Sequence, residues 1–368
     1  MKIDSNFPTG NIKVEKIEGD EVFLRQDLRD TNGNWFYWCF RIRDAGGKKI
    51  KFNLTGKNLL TDRGAAVSLD NGFTWKWLPP ENILDSSFEY NFSSNADNVR
   101  FSMGMPYSEM HLKRFLENHN KDRNLKIDTL CKSKKGRNVE RMTIGRGDCK
   151  FRVLITARHH CCEMMANYAI EGIIDSILTS SWLLRNAQTT VIPFVDKDGV
   201  EDGDQGKNRQ PHDHNRDYIP DAIYNETKSI MDFVPGWING RTFIAIDIHC
   251  PWIKGKGNNT IYIPGSKDVQ NWEEQVKFGK ILMSVNRGPL PYSIDDNLPF
   301  GKDWNTGTPP GLKTCAGWAY EVGAKTAMTI ELPYSEARDK EVNQETARKF
   351  GNYLAKTISE YLKTLNPA

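Results

Sequence analysis

The stretch Phe151-Arg152-Val153-Leu154-Ile155-Thr156 runs without a turn residue into Ala157-Arg158-His159-His160-Cys161-Cys162-Glu163. The first six residues are short and mostly apolar, the pattern of a strand buried on both faces. From Glu163 to Arg185, Ile170, Ile173, Ile174, Ile177 and Leu178 recur at helical spacing. A buried strand feeding directly into a helix marks an α/β layer, with His160 and Glu163 at the junction.

Outward from this junction the same alternation continues. Residues 190–195, 243–248 and 327–332 read as further strands. Residues 107–119, 269–285 and 341–365 read as helices. Before Pro106 the texture differs. Short alternating runs at 12–14, 22–24, 35–42, 50–54, 88–92 and 99–103 are separated by turn residues such as Asn32-Gly33-Asn34, Asp70-Asn71-Gly72 and Pro79-Pro80. Evenly spaced short strands with such turns predict a sandwich. The expected organisation is an all-β sandwich over 1–118, then an α/β domain over 119–368 with a mixed sheet flanked by helices.

The composition is that of a globular protein, with 38% hydrophobic and 26% charged residues. A net charge of +3 provides no basic field for nucleic acid. No apolar run approaches the roughly 20 residues of a membrane span. Met1 to Gly10 has no hydrophobic leader core, so a cytoplasmic location is the expectation. Seven cysteines without a disulfide ladder read as reduced thiols.

His160 and Glu163 form an H-x-x-E pair, a spacing that lets an imidazole and a carboxylate converge on one ion. His159 also offers an imidazole, and only the spacing to Glu163 separates the two. A catalytic zinc site commonly adds a third protein ligand and a water. His249, which ends the apolar strand 243–248, is the candidate, because functional groups gather where strands of an open α/β sheet end.

With these residues the sequence resembles the M14 zinc carboxypeptidases, in particular the cytosolic carboxypeptidase branch. That branch has A-R-x-H-P-G-E where this chain has Ala157 to Glu163, with Cys161-Cys162 in place of Pro-Gly. Its P-D-G-V and L-N-R match Asp196 to Val200 and Asp213-His214-Asn215-Arg216. Its D-x-H matches Asp247-Ile248-His249, and its T-x-E-L matches Thr329-Ile330-Glu331-Leu332. The likeness extends from about residue 106 to the C-terminus, and the β leader resembles the sandwich that precedes the catalytic domain in that branch.

The resemblance implies a Zn2+ ion held by His160, Glu163 and His249, and Glu331 as general base. It implies Asn215 and Arg216 as the clamp for a terminal carboxylate and Asp213 as the acid orienting a ligand histidine. For the cation facing the carbonyl oxygen, Arg209 is the best match and Lys207 the fallback. Lys313 would favour an acidic terminal residue. The mobile tyrosine of digestive members has no clean counterpart; Tyr292, Tyr320 and Tyr334 are the nearby tyrosines. Peptide or protein C-termini are the expected substrates, with no nucleic acid or membrane partner. Competing readings are amide hydrolysis on a non-peptide acyl substrate with the same metal, and a non-catalytic binding protein on this fold.

Overall fold

The structure is a computed structural model that describes residues 1–255 and 257–365. Ten strands precede Met103: β1 Lys2–Asp4, β2 Lys13–Glu18, β3 Glu21–Arg25, β4 Cys39–Arg43, β5 Lys49–Leu54, β6 Ala66–Ser68, β7 Lys76–Trp77, β8 Ile83–Leu84, β9 Ser87–Asn91 and β10 Asn98–Ser102. They form two five-stranded sheets, ordered β1-β4-β10-β6-β7 and β2-β3-β5-β9-β8. The period-2 pattern explains the layering. Val22 and Leu24 of β3, and Ile50, Phe52 and Leu54 of β5, are buried, while their sequence neighbours are not. Between the sheets Phe40, Phe52, Phe88 and Phe101 pack with ring centroids 4.9–5.5 Å apart. Such pairs each add about 0.5–1.5 kcal/mol beyond their buried area.

The aromatic run 35–42 is strand only from Cys39 onward. Trp35 to Trp38 leave the sheet because Gln205, far along the chain, bonds the backbone of Tyr37 on both sides. Tyr37 N donates to Gln205 Oε1 and Gln205 Nε2 donates to Tyr37 O, each at 2.8 Å.

After α1 (Glu109–Glu117) come β11 (Leu125–Lys132), β12 (Asn138–Ile144), β13 (Phe151–Ala157), α2 (Met165–Thr179) and α3 (Ser181–Asn186). The helix expected over 163–185 is therefore two helices. Ser180 takes extended dihedrals between them, and its hydroxyl caps α3 by accepting from Leu183 N. β14 (Ala187–Ile192), α4 (Lys197–Asp202), α5 (Asn225–Ile238), β15 (Thr242–His249), α6 (Val269–Val285), α7 (Cys315–Glu321) and β16 (Thr326–Glu331) follow. A small hairpin, β17 (Glu336–Ala337) and β18 (Lys340–Glu341), and α8 (Gln344–Thr364) complete the chain.

The central sheet has the order β11-β12-β14-β13-β15-β16. β13 to β16 are parallel to one another, and β11 and β12 are antiparallel additions. From β13 the chain passes first to β14 on one side and later to β15 on the other. The carboxyl ends of β13 and β15 therefore flank a topological switch point, where open α/β sheets bind ligands. The helix leading from that point is pinned from behind. A Cβ on Gly172 of α2 would lie 1.9 Å from Arg348 O, and one on Gly351 of α8 1.9 Å from Ala169 O. Only glycines allow these two helices to approach so closely.

One apolar core runs through both layers. Phe36, Trp38, Met103 and Met105 belong to the same cluster as Met164, Tyr168, Ile248 and Tyr334. Phe36 meets Tyr334 edge-on at 5.6 Å. Among the described residues, no helix is long and apolar enough to cross a membrane.

Candidate active site

Arg158 follows the last residue of β13 and has φ +63°, a backbone conformation rare for a long side chain. Its guanidinium is tied down by donation to Cys161 O, Tyr107 O and Asn167 Oδ1. The bend sends the next two histidines to different neighbourhoods. His159 is wholly buried, with Nδ1 at 2.9 Å from Asp247 Oδ1 and Nε2 at 2.7 Å from the Tyr218 hydroxyl. His160 turns toward Glu163, and Glu163 N donates to His160 O to close the turn before α2. The two imidazoles thus face different groups: His160 meets Glu163 and His249, and His159 lies with Asp247 and Cys315.

Three donor groups converge. His160 Nδ1 lies 3.0 Å from Glu163 Oε1, and His249 Nδ1 lies 2.7 Å from Glu163 Oε2. Ligand atoms of His160, Glu163 and His249 all lie within 4.8 Å of one another. His249 is placed by sheet register, opposite Glu331 on β16. Each imidazole has its far nitrogen against a carboxylate: His249 Nε2 is 2.6 Å from Asp247 Oδ2, and His160 Nε2 is 3.5 Å from Asp213 Oδ1. With an ion bound, a carboxylate at Nε2 would hold the proton there and leave Nδ1 free to ligate. Asp213 itself is fixed by capping a short turn, accepting from Asn215 N at 3.0 Å.

The donor set fits a zinc-type ion: two imidazole nitrogens and one carboxylate. An independent observation agrees. Glu331 Oε2 is buried without a hydrogen-bond partner, while Glu163 Oε2 faces His249 Nδ1 at 2.7 Å. A buried carboxylate oxygen normally has a donor, so the Glu331 oxygen is open to a ligand.

The electrostatics follow from burial and crowding. Burial raises the Glu163 carboxyl, but Lys207, His160 and His249 outweigh it and hold it well below the usual carboxylate range. Burial pushes Glu331 up to about 7; the Glu163 charge adds to this, while His249, Lys207 and His160 oppose it. For His249, burial works downward, and Asp247 and Glu163 together reverse it and draw the imidazole toward its protonated form.

Asn215 Nδ2 lies 3.4 Å from His249 Nε2, and Asn215 Oδ1 accepts from Cys315 N at 3.0 Å. Arg216 is half-buried and donates to the Asn215 carbonyl at 2.9 Å. Among the described residues no carboxylate lies within ion-pair distance of its guanidinium.

Two expected residues are placed elsewhere. Arg209 is enclosed by three carboxylates: Nη1 at 2.5 Å from Asp196, Nε at 3.1 Å from Asp30 and Nη2 at 3.1 Å from Asp204. Its guanidinium is turned to these three acids, with one contact on each nitrogen. Lys207, two residues earlier, points into the site, with Nζ 2.5 Å from Glu163 Oε1 and 4.8 Å over the ring of Trp35. Lys313 is exposed and paired with Glu321 at 2.6 Å on the surface of α7.

Among the tyrosines, Tyr292 bonds Asn297, Tyr320 bonds Asp268, and Tyr334 is buried against Cys162. The tyrosine beside the base is one the sequence did not single out. Tyr262 pairs with Glu331 through the backbone, its O accepting from Glu331 N at 2.9 Å. Trp35 lies over the Lys207 ammonium and meets Trp252 at 5.0 Å with the rings tilted by 54°. Asp30 and Trp252 had no local sequence signal. Asp247 was legible in principle, since it lies two residues before His249 on one strand and shares its face.

No family model matches the chain, and no curated protein matches it. Solved structures do. A metallo-carboxypeptidase from Burkholderia cenocepacia superposes with a TM-score of 0.77 at 20% identity, over 99% of each chain. A metallo-carboxypeptidase from Pseudomonas aeruginosa, in complex with (2-guanidinoethylmercapto)succinic acid, gives 0.75 at 20% identity over 100% of each chain. A carboxypeptidase A from Helicoverpa armigera gives 0.52 at 16% identity, over 70% of this chain and 73% of its own. The chain therefore has the metallo-carboxypeptidase fold, and its likeness to the two bacterial structures includes the β-sandwich.

Proposed function

We propose that this chain is a zinc-dependent carboxypeptidase that hydrolyses the C-terminal peptide bond of peptides or proteins. The observation that carries the reading is the meeting of His160 Nδ1, Glu163 and His249 Nδ1 beside the buried carboxylate of Glu331, whose Oε2 has no hydrogen-bond partner. These three residues would hold the ion. When bound, zinc supplies a Lewis acid for the scissile carbonyl and makes water a better acid.

The chain's own groups do the rest. Glu331 takes a proton from the attacking water and returns it to the leaving amine. Lys207, rather than Arg209, faces the charge that develops on the carbonyl oxygen. Arg216, with no carboxylate of its own, offers its planar fork to the substrate's terminal carboxylate, and Asn215 holds the adjoining turn in place. A preference for acidic terminal residues would require Lys313 to exchange Glu321 for the substrate side chain. Comparing release of terminal Glu, Lys and Phe from matched peptides with Lys313→Met measures that preference.

The deciding experiment uses zinc-loaded protein and two peptides that differ only in a free or an amidated C-terminus. The free peptide should lose its last residue, and the amide should react at least a hundredfold more slowly, because the half-buried Arg216 guanidinium would be left without its anion. Equal rates on the two peptides would replace this reading with a general amidohydrolase. No turnover of either peptide, with zinc bound, would leave a binding protein.

A further inference from the structure

We propose that Asp30, in the sandwich, is a positioning residue for Lys207 and thereby a part of the catalytic apparatus. The inference rests on the reading of Lys207 as the cation facing the reacting carbonyl.

Lys207 is carried by an irregular loop, and a lysine on such a loop is a poor electrostatic device unless something fixes it. Asp30 does so from the other layer. Its Oδ1 accepts from Gln205 N at 3.0 Å, and its Oδ2 accepts from Gly206 N at 2.8 Å and Arg209 Nε at 3.1 Å. One carboxylate thus grips the loop on both sides of Lys207. The grip has no slack. Gly206 has φ +76°, and a Cβ there would lie 2.4 Å from Cys161 N, inside the turn that links His160 to Glu163. The sandwich also covers the ammonium, through the Trp35 ring. Arg209 gains a role on this view. It joins Asp30 to Asp196 and Asp204, so the sandwich and the N-cap of α4 hold the loop jointly.

The test is a double-mutant cycle in the full-length, zinc-loaded protein. Asp30→Asn should lower kcat about ten- to a hundredfold with KM within about twofold. In a Lys207→Met background the same change should be within about twofold, because the group it positions is gone. Asp30→Glu, which keeps the charge, should recover part of kcat. Trp77→Phe, which removes a different bond between the layers (Trp77 Nε1 to Val342 O, 2.9 Å), should leave kcat unchanged. A second readout needs no turnover: reductive methylation of Lys207, followed by peptide mass spectrometry. The wild-type ammonium should be protected and that of Asp30→Asn modified. Equal kcat losses in both backgrounds, or unchanged protection of Lys207, would overturn the proposal. If the wild type releases no terminal residue, the reading of function falls, and the labelling result still decides whether Asp30 holds Lys207. If Asp30→Asn does not fold, Asp30→Glu takes its place in both arms, with intermediate loss and intermediate labelling expected.

Discussion

Two clusters of buried charge lie within one loop of each other, and they are built on opposite terms. Around Arg209, the carboxylates of Asp30, Asp196 and Asp204 each face a guanidinium nitrogen at 2.5–3.1 Å. Around Glu163, Lys207 and two imidazoles crowd one carboxylate, while Oε2 of the neighbouring Glu331 has no hydrogen-bond partner. The first cluster sets three acids around one cation, and burial together with Asp30 pushes the Asp204 carboxyl up to about 6. The second sets three basic groups around one acid, the groups proposed to hold the ion among them. Acids gathered on a guanidinium read as architecture, and ligand-type side chains beside an unpartnered carboxylate oxygen read as chemistry.

This contrast can be broken by substitution. Glu331→Gln should have the largest effect, lowering kcat by about 10²–10⁴, the usual range for loss of a positioned general base. Its thermal stability should hold or rise, since a carboxyl pushed up to about 7 by burial is no asset to folding. Calorimetry and steady-state kinetics on the same sample check both halves; a large fall in stability would place Glu331 with the structural cluster instead.

Arg209→Met should behave inversely. Buried Asp196 loses its guanidinium, half-buried Asp30 and Asp204 lose a shared one, and about 3 kcal/mol of stability should go with it, measured by urea unfolding. Unchanged stability would show that the Arg209 cluster does not hold the fold.

Asp247→Asn tests the boundary between the two kinds of site. Asp247 accepts from both His159 and His249, so its loss should weaken zinc binding about 10–100-fold, read by competition with a chromophoric chelator. An unaltered affinity would mean that His249 needs no orienting acid.

The smallest effect concerns protons. Asp247 and Glu163 draw His249 toward protonation, so an ion must displace a proton from Nδ1. Zinc affinity should therefore fall as pH falls, with about one proton released per ion near neutrality. Titration calorimetry in buffers of different ionisation enthalpy measures the number; no release would contradict a protonated His249 in the metal-free protein.

The sequence disclosed these sites unequally, for physical reasons. His160 and Glu163 share one turn, and His249 ends a strand, so local pattern offered all three as candidates and the family resemblance singled them out. The choice between Lys207 and Arg209 was not local. It is made by Asp30, 179 positions away, which claims Arg209 and leaves Lys207 to the site. The helix through 163–185 was legible as helix but not as two, because Ser180 carries the break in its dihedrals rather than in the apolar spacing. The hairpin of β11 and β12 was missed, since β11 is an edge strand with no buried residue and so shows no clear alternation. Trp35 to Trp38 showed alternation and yet leave the sheet, because Gln205 occupies the backbone of Tyr37.

The apolar core that passes unbroken from Trp38 through Met105 to Tyr334 has a practical corollary for anyone handling this protein. Calorimetric melting should give one endotherm rather than two, with matching van't Hoff and measured enthalpies. A truncated version beginning after the sandwich would expose that greasy seam to solvent, and should aggregate during expression rather than yield a smaller enzyme.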